Sequence, residues 1–251
     1  SLSLQAQTDY VFRHLDVSLG FPENQIMSVF YLPDGRLGIR TTASLTFYDG
    51  GKCDNYVYTP HSVYNWNYSG ACCECIDGNG LIWMKNVGTL SGFDLHSLSY
   101  INNVDSLFRA MHVTEPVSDL YVDDNRCFWM VTDSQKVFYY TPGIDRLVEV
   151  CASGENNRKN GQICYVAVSG DICRLVYNNG VIRCWDIKQE RFVQREDFLV
   201  PYMKHRYNDV FIVKTLADGD AWLVSNQCVA YFDAMEQQWM LIPNLDIPSN
   251  D

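Results

Sequence analysis

Five stretches of the chain share one pattern: GIRTTASLTFYD (38–49), WMKNVGTLSGFD (83–94), WMVTDSQKVFYY (129–140), LVYNNGVIRCWD (175–186) and WLVSNQCVAYFD (222–233). Each stretch is twelve residues long, and successive copies begin 45, 46, 46 and 47 residues apart. The fourth residue is small or polar in every copy. The eleventh is always aromatic: Tyr48, Phe93, Tyr139, Trp185 and Phe232. Self-similarity at a fixed period of this length indicates a repeat architecture.

Each block is the centre of a unit with four predicted strands. A short apolar run and a turn precede it, as in VFYLPDGRLGI and CECIDGNGLIW. Two runs of β-branched and aromatic residues around an Asp-Gly turn are typical of a β-hairpin. A further apolar patch follows each block, such as NYVYT at 55–59, and helical periodicity is nearly absent. We therefore expect an all-β fold of about twenty-one strands, a β-propeller of four-stranded blades.

The repeats also set the predicted domain boundaries. Short tails at 1–9 and 248–251 flank a propeller at 10–247. It consists of an extra outer strand at 10–16 and blades at about 26–59, 71–104, 117–151, 162–196 and 208–242. The extra strand lacks three inner partners, while blade five has its own outer strand at 238–242. This mismatch predicts an incomplete ring, part of a seven-bladed propeller, whose exposed blade faces self-associate.

Composition narrows the class of protein. The chain has 251 residues, of which 47% are hydrophobic and 20% charged, a balance typical of an ordered globular protein. The net charge of −11 disfavours nucleic acid as a partner, and no apolar run is long enough for a membrane-spanning helix. The ten cysteines are spread through apolar stretches, which favours buried thiols. One or two disulfides, or a metal site at Cys72 and Cys75, remain alternatives.

The repeat resembles the two-component regulator propeller family. That family's consensus is approximately a hydrophobic run, Asp-x-x-Gly-x-hydrophobic-Trp-x-x-Thr, and then Gly-Leu-x-x-Tyr-Asp. The stretches DGNGLIWMKN…LSGFD (77–94) and DGRLGIRTTASLTFYD (34–49) match it, and FRHLDVSLGFPENQIMSVF (12–30) looks like the family's opening. Gly38 and Leu175 depart from the pattern, because each stands where the consensus has tryptophan. The resemblance covers roughly residues 10–242.

The resemblance implies a periplasmic sensor. Propellers of this family form the extracytoplasmic region of Bacteroidetes hybrid two-component regulators, which respond to glycan breakdown products and regulate transcription of the genes that use them. Family members carry two seven-bladed propellers, an immunoglobulin-like domain, a membrane span and a histidine kinase, and a homodimer is expected of the parent. No kinase motif occurs here, so this chain would be a non-catalytic part of such a sensor. The opening SLSLQAQ is compatible with the end of a signal peptide.

The connectors between successive blades carry the candidate ligand-binding residues. Aromatic rings beside amides, together with basic side chains on an otherwise acidic protein, suit a neutral or anionic oligosaccharide. We expect the connectors to share one face of the propeller, opposite the Asp-Gly hairpins at 34–35, 77–78 and 218–219. The candidates are Tyr64, Asn65, Trp66, Tyr68, Arg109, His112, Arg158, Lys159, Tyr202, Lys204, His205 and Arg206.

Alternative functions belong to two other classes. The propeller could be a scaffold or dimerisation module with no ligand of its own. A propeller lyase or glycosidase is a third possibility, since paired carboxylates can be gathered from different blades. The five histidines form no HExxH motif, and no GxSxG motif or phosphate loop is present. The sequence therefore predicts neither a catalytic residue nor a metal or other cofactor. Trp83, Trp129 and Trp222 recur at one repeat position, which predicts packing between blades.

Overall fold

The computed structural model describes residues 17–70, 72–150, 161–197, 199–200, 212–215, 220–224, 229–236 and 238–242. These residues form mostly β-strands in antiparallel sheets, with few helices. The chain divides into two compact units, Ser1–Thr59 and Pro60–Asp251, which we call unit 1 and unit 2. Each of the five sequence repeats corresponds to one sheet, numbered here in chain order.

Unit 1 contains sheet 1. A single 3-10 turn at Val17–Leu19 precedes it. Its strands, which pair in chain order, are β1 (Ile26–Tyr31), β2 (Leu37–Thr41), β3 (Ser44–Tyr48) and β4 (Cys53–Val57). Consecutive pairing of this kind is a meander, the simplest antiparallel topology.

Unit 2 contains sheets 2 to 5, again as meanders. Sheet 2 consists of β6 (Cys73–Ile76), β7 (Leu81–Asn86), β8 (Thr89–Asp94) and β9 (Ser99–Tyr100), and β5 (Tyr64–Asn65) adds to β8. Sheet 3 consists of β10 (Val117–Val122), β11 (Phe128–Thr132), β12 (Val137–Thr141) and β13 (Arg146–Glu149). Sheet 4 consists of β14 (Ile163–Ser169), β15 (Ile172–Tyr177), β16 (Ile182–Asp186) and β17 (Arg191–Glu196). Sheet 5 consists of β18 (Ile212–Thr215), β19 (Ala221–Val224), β20 (Val229–Asp233) and β21 (Gln238–Leu241).

The core of unit 2 lies between successive sheets. We call the face of a sheet that contacts the next sheet its following face, and the opposite one its preceding face. Trp83, on the following face of sheet 2, packs edge-on against the ring of Phe128 in sheet 3. Trp129, on the following face of sheet 3, packs in one cluster with Leu175 and Trp185 of sheet 4. Sheets 3 and 4 therefore pack on both faces, which explains why their second strands consist mostly of apolar residues.

The two fully buried tryptophans are held by aspartates six residues earlier. The indole N–H of Trp83 donates to Asp77 over 3.0 Å, and that of Trp129 donates to Asp123 over 2.9 Å. The other carboxylate oxygen of each aspartate accepts backbone N–H groups of its turn. The consensus aspartate therefore closes a hairpin and satisfies a buried donor, whose loss would cost a full desolvation penalty.

The strand register corrects the ungapped repeat alignment. Trp83 pairs with Gly92, nine residues on, whereas Trp129 pairs with Tyr139 and Arg174 with Cys184, ten residues on. The central hairpins of sheets 3 and 4 are therefore one residue longer. Consequently, the recurrent aromatic that faces the preceding sheet is Tyr140 in sheet 3, not Tyr139. For the same reason Arg174, and not Leu175, occupies the tryptophan position of sheet 4. Its guanidinium lies 4.3 Å from the ring centre of Phe232 in sheet 5.

Packing of the repeated tryptophans is confirmed for two of the three. Trp83 and Trp129 are 0% exposed, whereas Trp222 is 37% exposed, so the prediction for Trp222 is wrong. Residue 216, six residues before Trp222, is leucine, so this tryptophan lacks the aspartate partner of the other two. At the tryptophan position sheet 1 has Gly38, and the ring of Phe30 on the neighbouring strand lies against this glycine.

One predicted connector contains a helix. Residues 105–116 were expected to form a loop, but the helix α1 spans Val104–Ala110. The side chain of Asn103 accepts the backbone N–H of Ser106 over 3.1 Å, a typical N-cap bond. Val104 and Phe108, four residues apart, are both buried. A single helical turn of apolar residues was too short for its periodicity to be recognised in the sequence.

The cysteines are only partly buried. Eight lie in the described residues, and none of these eight forms a disulfide. Cys127, Cys173 and Cys184 are buried as expected, but Cys72 and Cys73, just before and at the start of β6, are exposed. The predicted strand at 10–16 and the hairpin at 218–219 lie outside the described residues, and the number of blades in the propeller stays a prediction.

The different burial of Trp129 and Trp222 gives a matched stability test. Replacing Trp129 by Ala should lower the free energy of unfolding by about 3–5 kcal/mol, because it empties a fully buried site between two sheets. Trp222→Ala is the control and should cost about 1 kcal/mol or less, since that side chain is partly exposed. Urea unfolding followed by circular dichroism measures both. Equal costs for the two variants would contradict the packing described here.

Candidate functional site

The connector at 60–70 lies on the edge of unit 2 that also carries the central hairpin of sheet 2. Its short strand β5 pairs with the start of β8. Trp66 donates its backbone N–H to Gly88 over 3.1 Å, and Gly88 donates to Tyr68 over 3.0 Å. In this part of the chain the connector and the hairpin between the second and third strands therefore share an edge, as expected of propeller blades.

The aromatic side chains of this connector point inwards. Trp66 is 7% exposed, and its indole N–H donates to the carbonyl of Asn86 over 3.1 Å. The hydroxyl of Tyr64 accepts the backbone N–H of Val117 over 3.1 Å, and its ring packs edge-on against Phe108. These rings fill the space between sheets 2 and 3. The expectation that Trp66 offers a stacking face to a ligand is therefore wrong, since apolar burial outweighs exposure for such a ring.

The polar residues of the same connector remain at the surface. Asn65 and Asn67 are exposed, because they alternate with the buried aromatics along an extended segment. The amide of Asn67 donates to the carboxylate of Asp133 over 3.0 Å, which brings the central hairpin of sheet 3 to the same edge. Beside it, Glu115 accepts the hydroxyl of Ser134 over 2.6 Å and pairs with Lys136. Amides and carboxylates, rather than rings, thus form the exposed edge.

Two other predicted residues are engaged in local pairs. Arg109 pairs with Asp105 one turn earlier on α1, and both are exposed. His112 contacts the carboxylate of Asp145 over 3.1 Å. The pKa of Asp145 is lowered, first by the hydroxyl of Tyr140 and then by His112. His112 contacts Asp145, which follows β12, whereas Asn67 contacts Asp133, which precedes β12. The two candidate side chains therefore lie at opposite ends of that strand.

The remaining six predicted residues lie outside the described part of the chain. Their role in ligand binding stays a prediction. They are Arg158, Lys159, Tyr202, Lys204, His205 and Arg206.

The sequence did not reveal a buried charged cluster next to this connector. The ammonium of Lys85 on β7 lies 2.5 Å from the carboxylate of Asp119 on β10, and both side chains are buried. The same ammonium lies 3.9 Å from the ring centre of Tyr121 and 4.4 Å from that of Tyr68. Lys85 appears in the sequence only as the third residue of a block, where the other copies have Arg40, Val131, Tyr177 and Val224.

The cluster joins β7 of sheet 2, β10 of sheet 3 and β14 of sheet 4. Asp119 accepts the hydroxyl of Tyr121 over 2.5 Å and the backbone N–H of Leu120 over 2.8 Å. The hydroxyl of Tyr121 also contacts the carbonyl of Cys164 in sheet 4. Burial raises the pKa of Asp119, and Lys85 opposes that effect. Burial likewise raises the pKa of Tyr121, so its hydroxyl keeps its proton and donates. The arrangement is one in which every charge has an opposite charge or a hydrogen bond.

Other kinds of site find no support in the described residues. Within them, no group of three or more His, Cys, Asp or Glu side chains is placed to hold a metal ion. Burial raises the pKa of the Cys75 thiol to about 12, which disfavours the thiolate that a metal would require. Nor does any described helix have the length and hydropathy of a membrane span.

Comparison with known proteins gives a fold but no family. No family model and no curated protein match the chain. The extracellular domain of the hybrid two-component system BT3049 from B. thetaiotaomicron is similar in structure, with 16% identity and a TM-score of 0.58 over 91% of this chain and 31% of that one. The extracellular domain of BT4673 from the same organism has 15% identity and a TM-score of 0.57, over 89% of this chain and 30% of that one. YCF48 bound to D1 peptide has 14% identity and a TM-score of 0.55, over 94% of this chain and 71% of that one. The chain therefore shares the fold of these proteins and spans less than a third of the first two.

The buried ion pair yields a second stability test. Lys85→Met alone should lower the free energy of unfolding by about 3–5 kcal/mol, because it leaves the Asp119 carboxylate buried without its partner. The double variant Lys85→Met, Asp119→Leu should recover most of that loss, because both charges are then replaced by apolar groups. Urea unfolding of four proteins, namely the wild type, Lys85→Met, Asp119→Leu and the double variant, measures this. Additive losses in the double variant would show that the two residues do not act as a pair.

Proposed function

We propose that this chain is the ligand-sensing propeller region of an extracytoplasmic sensor in a two-component system of the hybrid histidine kinase type. The observation that supports this most is structural similarity over about nine-tenths of the chain to the extracellular domains of the hybrid two-component systems BT3049 and BT4673. The repeat motifs DGNGLIW and LSGFD support the same assignment. On this proposal the chain is periplasmic and binds a ligand without catalysing a reaction, and the parent protein is a homodimer with further propeller and immunoglobulin-like domains.

We further propose that the ligand is an oligosaccharide derived from a glycan, and that its binding regulates the genes for its use. The described residues favour hydrogen bonding over ring stacking as the main contact. Asn65 and Asn67 present amides at the connector edge, and Asp133 adds a carboxylate. Amides and carboxylates match sugar hydroxyls, which both donate and accept hydrogen bonds. The basic residues Arg158 and Arg206 remain the proposed contacts for an acidic sugar.

A protein-binding role is the second candidate. It is favoured by the similarity to YCF48 in complex with D1 peptide, of which the chain covers 71%. It is also favoured by the burial of Trp66, because a connector that is rigidly packed can present a fixed polar edge to another protein. On this alternative the parent protein reads its ligand elsewhere.

A screen of glycan fragments tests the sensing proposal. A ligand that binds only the folded chain raises its melting temperature, by an amount that grows with ligand concentration. We expect at least one oligosaccharide from a broad panel to give a saturable shift, confirmed by titration calorimetry, with no product formed. If no fragment shifts the melting temperature while a peptide partner does, the protein-binding role replaces the sensing role. Turnover of a fragment would instead indicate an enzyme.

Variants of the exposed amides test the position of the site. The double variant Asn65→Ala, Asn67→Ala should weaken binding of an identified oligosaccharide about 10-fold or more, since each lost hydrogen bond is worth about 1 kcal/mol. Asn125→Ala is the matched control, because Asn125 is an exposed amide in the turn before β11, at the opposite end of sheet 3 from its central hairpin. Calorimetry on both gives the comparison. Unchanged affinity in the double variant would place the site elsewhere.

A further inference from the structure

The exposed amide Asn67 is placed by the two aromatic residues beside it. It lies beyond the end of the short strand β5, so the β5–β8 ladder does not reach it. On one side Trp66 donates its indole N–H to the carbonyl of Asn86 over 3.1 Å. On the other side the ring centre of Tyr68 lies 4.4 Å from the ammonium of Lys85. Both contacts are made with adjacent residues at the end of β7, which therefore carries this half of the connector.

Two backbone hydrogen bonds follow the same route. The carbonyl of Gly88 accepts the backbone N–H of Trp66 over 3.1 Å, and the backbone N–H of Gly88 donates to the carbonyl of Tyr68 over 3.0 Å. These bonds close only while the ring of Tyr68 stays above Lys85, because the carbonyl and the ring belong to the same residue. Their opening therefore reports whether the connector is held.

The ammonium under Tyr68 is itself fixed from the side of sheet 3. It lies 2.5 Å from the carboxylate of Asp119 and 3.9 Å from the ring centre of Tyr121, and the side chains of Lys85 and Asp119 are buried. Attraction between a cation and an aromatic ring is strongest where water is excluded. A buried ion pair, in contrast, adds little net stability. The main effect of this charge is therefore on the position of the rings around it.

We propose that Lys85 and Tyr68 are positioning residues of the candidate ligand site. While Tyr68 is held over the ammonium, Asn67 faces outwards and its amide reaches Asp133 over 3.0 Å. Without that contact, a ligand would have to order the amide that it binds, and its affinity would fall. Tyr68 thus acts beneath the site rather than as a contact of the ligand. The inference rests on the proposed function for the ligand, but the position of the connector is tested without one.

Amide hydrogen exchange of the whole chain, followed by NMR, tests the proposal at the backbone N–H groups of Trp66 and Gly88. Tyr68→Leu should make both exchange at least about 10-fold faster, because it removes the ring and its contact with a desolvated cation. Tyr68→Phe is the matched control and should change them by less than about 3-fold, since the ring remains. The N–H of Asn178 makes the equivalent bond from the hairpin of sheet 4, to Gln162 over 2.8 Å, and is the internal reference.

The double variant Lys85→Met, Asp119→Leu separates positioning from stability. Its free energy of unfolding should approach that of the wild type, but Trp66 and Gly88 should still exchange at least about 5-fold faster, because a thioether attracts a ring less than a buried ammonium does. A purely structural role predicts that stability and slow exchange return together.

Two results overturn the proposal. One is wild-type exchange of Trp66 and Gly88 in a folded Tyr68→Leu chain, and the other is wild-type exchange in the folded double variant. Circular dichroism shows that each variant is folded, and the double variant decides alone should Tyr68→Leu prevent folding. Because no oligosaccharide is present, a glycan screen without a hit contradicts the proposed function and leaves the exchange result unchanged.

Discussion

Packing of apolar sheet faces against one another is the constraint on which unit 2 depends. A sheet with two apolar faces is stabilised by a neighbour on each of them. Sheets 3 and 4 have such a neighbour on both faces. Trp83 and Trp129 are the largest side chains on the faces that meet the next sheet, and both are fully buried there. Arg174 occupies the same position in sheet 4, and its guanidinium lies over the ring of Phe232.

Polar groups that are buried between these faces need hydrogen-bond or charge partners. Asp77 and Asp123 satisfy the two indoles and, at the same time, the backbone of their own turns. The Lys85–Asp119 pair is a different solution, in which two charges neutralise each other between sheets. A pair of this kind contributes less to stability than its geometry suggests, because desolvation offsets most of the attraction. It joins β7 of sheet 2 to β10 of sheet 3.

The burial of apolar side chains between sheets also explains the arrangement of the connector at 60–70. Its aromatic and amide residues alternate, so once the backbone pairs with the hairpin at 86–90, one set of side chains turns inwards and the other outwards. Sequence reasoning selected this connector for both its rings and its amides, and the part of either set in ligand binding stays a prediction. Alternation identifies two faces of the connector but not which of them meets the core. That choice depends on helix α1 and Phe108, which fill the space against Tyr64.

By itself, the sequence determined the repeat and the four strands of each repeat, because period and turn residues are local properties. It also contained the aspartate six residues before Trp83 and before Trp129, and its absence before Trp222. Only the tertiary structure decided the register of sheets 3 and 4, since one extra residue in a hairpin shifts every later pairing without altering the pattern of residue types. Likewise, the pairing of Lys85 with Asp119 joins residues 34 positions apart. No local signal links two such residues until the sheets pack and remove both charges from water.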